Sequence, residues 1–293
     1  MASSVNTKIT HAESGLFAFW AAALVVGWRS LAETFTLSAR NDEYTHILLI
    51  LPISAFLIYR DWRSLRALIA RNVPAGTVLL LIAALTAFFA RARSASLSAD
   101  VALSLTMLAF VLWSIGAFLL WLGTRATRAA LFPLCFLFGL IPPPQRVLDE
   151  IIFLLQLGSA WAAHVLFSAF GVPVDQTGVF LTIPGLTVQV AQECSSIRSS
   201  SMLLVTTIVL AQLLLHSPWR KLLVIGLAVP LSIAKNGLRI WVIAMLGTRV
   251  DPGYLTGRLH HQGGIVFFAI ALISISVLLW LLRRGENLVA RPV

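Results

Sequence analysis

The chain has 293 residues, of which 58% are hydrophobic and only 12% are charged, and its mean hydropathy is +0.88. A soluble domain keeps roughly a quarter of its residues charged, so this composition excludes a soluble fold and predicts an integral membrane protein. The formal net charge of +10 is spread over short loops rather than along one stripe, which argues against a nucleic-acid-binding protein.

Long apolar runs predict about eight transmembrane helices, because about 20 apolar residues cross the hydrocarbon core of a bilayer as helix. Residues 1–13 are polar, and the first apolar run lacks a clear cleavage site, so we interpret it as an uncleaved span rather than a signal peptide. The predicted spans cover about 14–30, 45–60, 73–91, 100–123, 129–141, 197–215, 222–247 and 264–282.

Four basic clusters lie between or after these spans and orient the chain, because loops rich in Lys and Arg stay in the cytoplasm. The clusters are Arg60, Arg63, Arg66 and Arg71; Arg125 and Arg128; Arg220 and Lys221; and Arg283, Arg284 and Arg291. We therefore expect both termini in the cytoplasm and the loops 171–196 and 248–262 on the outer face. Arg91 and Arg93 depart from this rule.

Residues 147–170 are long enough to span, but a span here would misplace the later basic loops. Polar residues occupy about half of the helical wheel, so we predict an amphipathic helix lying on the outer interface. These residues are Asp149, Glu150, Gln156, Ser159 and His164.

The next stretch alternates apolar residues on both sides of Pro184-Gly185, which predicts a β-hairpin. It leads into Cys194, at the start of the following helix. A helix N-terminus carries partial positive charge and Arg198 follows one turn later, so both favour the reactive thiolate. A lone cysteine is more often a small buried residue, and Cys135, within an apolar run, fits that interpretation. We expect no disulfide between them, since Cys135 should lie at membrane depth.

Lys235, Asn236 and Arg239 interrupt an otherwise apolar span. An Arg at mid-span costs about 2.5–3.5 kcal/mol on insertion scales, and such residues are usually functional, although a snorkelling or ion-paired Arg is the alternative. Arg239 lies toward the outer half of the span, Asn236 could orient it, and Lys235 is predicted to be incidental.

His260 and His261 lie in the last outer loop, where two adjacent histidines alone are a weak signal. The other histidines are dispersed and the chain has no Cys-x-x-Cys, so we predict neither metal nor cofactor. Together, a cysteine, an arginine and a histidine from three segments on one membrane face predict a nucleophile, an oxyanion-stabilising group and a base. Serines 195, 196, 199, 200 and 201 are rival nucleophiles, and we favour the thiol.

These three segments carry an ordered set of motifs. They are Cys194-Ser195-x-x-Arg198, Asn236-x-x-Arg239 and His260-x-x-x-Gly264-x-x-x-Phe268. The set resembles the exosortase/archaeosortase family over residues of about 130–285, while the first four spans match only in general character. Ser196 stands where the family often has glycine, and only the spacing to Gly264 selects His260 over His261.

The resemblance implies a membrane cysteine transpeptidase or endopeptidase that cleaves C-terminal sorting signals of the PEP-CTERM type from exported proteins. Cys194 would form a thioester, Arg239 would stabilise the oxyanion and His260 would act as general acid and base. Arg198 could hold an acidic residue of the substrate, with Asn236, His261 and Glu193 as further supporting residues. The site would face the periplasm from the inner membrane of a bacterium.

The expected fold is an all-α polytopic membrane protein of about eight transmembrane helices, with an interfacial amphipathic helix and a short extracytoplasmic β-hairpin before the cysteine motif. It forms one membrane domain over residues 1–293, with N-terminal spans in 1–128 and a catalytic exosortase-like core in 129–285. The protein partners would be substrates carrying a sorting tail, within the lipid bilayer.

Two other classes of function remain open. A transporter for an anionic solute could use Lys235, Asn236 and Arg239 with a helix broken near Pro230, although we detect no inverted repeat. The chain could also be a non-catalytic scaffold of an export or polysaccharide system.

Overall fold

The structure is a computed structural model that describes the backbone of residues 2–190, 197–255 and 264–289, with side chains over 10–190, 197–255 and 264–287. Within these ranges, eight helices are long and apolar enough to cross a membrane. The all-α polytopic membrane architecture is thereby confirmed. The chain forms two compact units, Met1–Val147 and Leu148–Val293.

The first unit is helical. Its helices are α1 (Ala2–Arg40), α2 (Ile47–Arg60), α3 (Trp62–Ala67), α4 (Val73–Ala92), α5 (Ala99–Ala129) and α6 (Leu131–Phe136), with 3₁₀ turns at Asp42–Tyr44 and Leu137–Leu140.

Glycines let the helices of this unit approach closely, as small residues do in membrane bundles. A Cβ on Gly76 of α4 would lie only 2.5 Å from the Leu120 Cα of α5. Gly123 adopts φ 85° and interrupts the helical geometry of α5, where a Cβ would clash with the Ala70 carbonyl oxygen. Only glycine fits this turn.

The fifth predicted span, 129–141, is corrected by the structure. The apolar helical stretch Leu131–Leu140 covers ten residues, or about 15 Å, roughly half of a hydrocarbon core. A change to 3₁₀ geometry at Leu137 and the proline run after Ile141 keep it short. Cys135 within this stretch is exposed on the protein surface, not buried as we expected.

The second unit combines helices with a small sheet. Its elements are α7 (Gln145–Ala169, which begins in the first unit), β1 (Asp175–Thr177), β2 (Phe180–Ile183), β3 (Leu186–Gln189), α8 (Ile197–Leu214), α9 (Pro218–Arg249), a 3₁₀ turn (Pro252–Leu255) and α10 (Gly264–Val289).

Helix α7 takes the place of the fifth span among the eight apolar helices. Two residues of its predicted polar face, Gln156 and Ser159, are buried against the protein, while Asp149 and Glu150 are exposed. The polar pattern of α7 therefore reflects internal hydrogen bonds as well as exposed positions.

The predicted hairpin is confirmed. Strands β2 and β3 are antiparallel, with Ile183 opposite Leu186 across the Pro184-Gly185 turn, and Gly185 adopts φ 81°. Strand β1 adds to the far side of β2 and gives the order β1-β2-β3. Buried Leu181 and Ile183 pack the sheet against α7 and α9.

Helices α8, α9 and α10 pack together around an apolar core. Leu203, Leu215, Val224, Ala271, Ile275 and Leu279 belong to this core. The break expected near Pro230 is absent, because α9 is one helix from Pro218 to Arg249. One argument for a transporter is lost with it.

Candidate active site

The seven residues singled out in the sequence divide into two groups. Arg198, Asn236 and Arg239 lie within the described residues. Glu193 and Cys194, in 191–196, and His260 and His261, in 256–263, lie outside them. Helix α8 begins at Ile197, directly after the first gap, and α10 begins at Gly264, directly after the second.

Helix α9 carries a buried polar cluster. Lys235, Asn236 and Arg239 expose only 6%, 1% and 8% of their surface. Buried charges in a membrane helix are costly unless they meet polar partners or serve a function. The polar partners of these three side chains therefore show how the site is built.

Lys235 and the start of α8 form the first polar contact of the site. The Lys235 Nζ donates a hydrogen bond to Ser199 Oγ, and Ser232 Oγ donates to Ser200 Oγ at 2.6 Å. These bonds hold the first turn of α8 against the middle of α9. Lys235, which we expected to be incidental, is part of the site.

Arg239 and the start of α10 form the second contact. A Cβ built on Gly264 would lie 3.8 Å from Arg239 Nη1. The first residue of α10 is thus a neighbour of the guanidinium. Helix α9 therefore contacts the first turn of α8 through Lys235 and the first residue of α10 through Arg239.

Asn236 faces α7 and donates from Nδ2 to Ser159 Oγ at 2.9 Å. Its Oδ1 is buried and accepts no hydrogen bond from the described residues. Next to this bond, α9 packs closely against α7 at Gly237, where an added Cβ would lie 2.5 Å from the Ala162 Cβ. Asn236 thus joins α9 to α7, whereas we had expected it to orient Arg239.

Gln156 of α7 holds the end of the sheet. Its Nε2 donates to the carbonyl of the fully buried Val190 at 2.7 Å, and the Val190 N–H donates to the Val179 carbonyl at 3.0 Å. Val190 is the last described residue before the cysteine motif, so Gln156 fixes the point where the chain leaves the sheet.

A groove of about 190 Å³ lies between β3 and α9. Leu186–Gln189 form one wall, and Ile240, Ile243, Ala244 and Leu255 contribute apolar side chains. Among the residues that the structure describes, Arg239 is the only charged one that lines it. The groove therefore extends from the apolar face of α9 to Arg239, the candidate oxyanion-stabilising residue.

Arg198 lies in the first turn of α8 and is exposed. Its carbonyl accepts a hydrogen bond from Ser201 Oγ at 3.0 Å. Its exposed position makes it accessible to a substrate. Among the side chains that the structure describes, no group of three His, Cys, Asp or Glu residues could hold a metal ion.

Sequence reasoning named four residues of this site without predicting the contacts they make: Gln156, Ser159, Ser199 and Lys235. The signal for the first two was present, since polar residues inside an apolar helix often form hydrogen bonds between helices. We had assigned them to the outer interface instead. The Lys235–Ser199 contact joins two helices, and the spacing of residues along one helix does not predict such a contact.

A family model described as transmembrane exosortase (Exosortase_EpsH) matches residues 28–277, most of the chain. Neither the curated proteins nor the solved structures contain a significant match.

Proposed function

The chain belongs to the transmembrane exosortase family, and from this premise we propose that it is a membrane-embedded cysteine transpeptidase or endopeptidase. Its substrates are exported proteins with a C-terminal sorting tail of the PEP-CTERM type. It removes the tail at the outer face of the cytoplasmic membrane, with the site open to the periplasm and both termini in the cytoplasm.

The observation that carries the proposal is that two motif-bearing helices, α8 and α10, meet the third, α9. Ser199 of α8 bonds Lys235, and Gly264 of α10 is adjacent to Arg239. Cys194 precedes Ile197 by three positions, and His260 precedes Gly264 by four. Chain segments of three and four residues span at most about 11 Å and about 14 Å, and on this basis we propose Cys194 and His260 as the groups that act beside Arg239.

The proposed chemistry follows from these three groups. The Cys194 thiolate attacks the scissile carbonyl carbon, a C–S bond forms, and the negative charge on oxygen is stabilised by the Arg239 guanidinium. The C–N bond then breaks as protonated His260 gives a proton to the leaving amine. Water or an amine attacks the thioester, His260 accepts the proton of that nucleophile, and the thiolate is released.

A second candidate mechanism is favoured by one specific contact. A serine beside a lysine is an alternative nucleophile–base pair, and Lys235 donates to Ser199 Oγ. We rank it below the thiol mechanism because Cys194 opens the motif on which the family resemblance rests, whereas Ser199 lies inside α8. The serine mechanism makes a different prediction for Cys194→Ala.

The test is co-expression with a reporter protein that carries a Pro-Glu-Pro-type tail, a hydrophobic stretch and a basic cluster. The proposal is supported if the native protein removes the tail and if this activity is lost in Cys194→Ala, Arg239→Ala and His260→Ala. Removal that persists in Cys194→Ala at equal protein levels overturns the thiol mechanism. No removal by the native protein overturns the substrate assignment.

A further inference from the structure

The outer edge of β3 carries backbone groups that face away from β2. In an antiparallel pair, hydrogen-bonded and non-hydrogen-bonded residue pairs alternate. The Val190 N–H bonds to Val179, so Val188 opposite Leu181 is also a hydrogen-bonded pair. The N–H and C=O of Thr187 and Gln189 therefore point away from β2.

No described strand pairs with this edge, because β3 is the last strand of the sheet. An unpaired edge is a template for the addition of another strand. Proteins that bind extended peptides use such edges, where main-chain hydrogen bonds supply affinity and adjacent pockets select side chains.

The groove beside this edge has the chemistry of a peptide subsite. Its α9 wall is apolar through Ile240, Ile243 and Ala244, and within the described ranges its lining contains one cation, Arg239, and no carboxylate. Such a groove favours a neutral or acidic peptide and repels a basic one. It is also continuous with the proposed active site, since Arg239 belongs to both.

We propose that the outer edge of β3, which no described strand covers, binds the substrate as an added strand that leads the scissile bond to Arg239. Backbone groups of Thr187 and Gln189 pair with the peptide, and the peptide's apolar side chains contact α9. The occupant is an extended segment, neutral or acidic, that flanks the cleavage site. This inference rests on the proposed function and adds its substrate-binding mode.

The protein-side test compares Thr187→Pro and Gln189→Pro with the matched controls Thr187→Val and Gln189→Val, in full-length protein purified in detergent. Proline removes one edge N–H and is tolerated on edge strands, whereas valine keeps that N–H. We expect each proline to lower kcat/KM for a tail peptide about fivefold, the effect of one hydrogen bond, mainly through KM. Each valine variant should lose less activity than its proline partner. Gln176→Pro in β1, the opposite edge strand of the sheet, is the variant expected to stay within about twofold of the native protein.

The substrate-side test does not depend on folding of a variant. Tail peptides with one backbone amide replaced by an ester at a non-proline position lose a single N–H, and among these positions cleavage should weaken at every second residue near the cleavage site. A lysine placed in the same segment should reduce cleavage at least about tenfold, and a glutamate should not.

The outcomes separate this inference from the proposed function. Strand addition is overturned, but the proposed function is not, if cleavage depends on Cys194 while both proline variants keep native kinetics and the ester series shows no alternation. Absence of cleavage by the native protein overturns the substrate assignment on which the proposed function depends.

Discussion

Gly264, the first residue of α10, lies beside the guanidinium of Arg239, so that a Cβ added to this glycine would be 3.8 Å from Nη1. A side chain larger than methyl at this position would extend toward the arginine. The final motif therefore needs a small residue at position 264, because the Arg239 guanidinium of α9 occupies the space beside it.

Substitution of Gly264 tests this relationship. Gly264→Ala places a methyl group at ordinary contact distance, so tail processing should remain within about twofold of native. Gly264→Leu should displace Arg239 and lower processing at least about tenfold. The measurement is the processed fraction of the reporter at equal protein levels. Ile265→Leu, a substitution at the exposed residue that follows Gly264, is the control. Normal processing by Gly264→Leu would show that Arg239 does not act where the structure places it.

Lys235 and Ser199 separate the thiol from the serine mechanism. If Cys194 is the nucleophile, Ser199→Ala and Lys235→Met remove a supporting hydrogen bond, and processing should fall no more than about tenfold. Under the serine mechanism, both changes abolish processing as completely as loss of the nucleophile. Initial rates with purified protein decide between them. A Ser199→Ala variant as inactive as Cys194→Ala would contradict the thiol account.

Gln156 should matter although it lies far in sequence from the motifs. Gln156→Leu keeps the volume but leaves the buried Val190 carbonyl without this donor, which costs about 1–3 kcal/mol. We expect a lower unfolding temperature in detergent and slower processing, because the chain entering the cysteine motif is no longer held. Glu150→Gln, at an exposed site on the same helix, is the matched control. Native stability in Gln156→Leu would exclude this anchoring role.

The orientation of the sheet relative to the membrane is testable by labelling. In a Cys135→Ser, Cys194→Ala background, Asp175→Cys in β1 should react with a membrane-impermeant maleimide in intact cells whose outer membrane is permeabilised. Arg63→Cys, in the first basic cluster, should react only after lysis. Both native side chains belong to exposed residues. Reaction of the Arg63 variant in intact cells would reverse the proposed orientation.

The membrane class, the hairpin and the polar residues of α9 could be predicted from the sequence because each depends on a local pattern. Apolar runs predict helices, and alternation around Pro184-Gly185 predicts the turn between β2 and β3. The Leu131–Leu140 stretch was misjudged because the predicted span 129–141, already shorter than the about 20 residues that cross a hydrocarbon core, was accepted on its apolar composition. Contacts between segments have no local pattern, which is why the Lys235–Ser199 and Gln156–Val190 bonds emerged only from the structure.

The central claim is that Cys194 forms a covalent thioester with its substrate near Arg239. The most direct measurement is mass spectrometry of the full-length protein after brief incubation with a tail-bearing substrate, quenched with and without hydroxylamine. The account predicts a hydroxylamine-sensitive acyl adduct on the peptide that contains Cys194, absent in Cys194→Ala. An adduct on a serine, or tail removal that persists in Cys194→Ala, would contradict it.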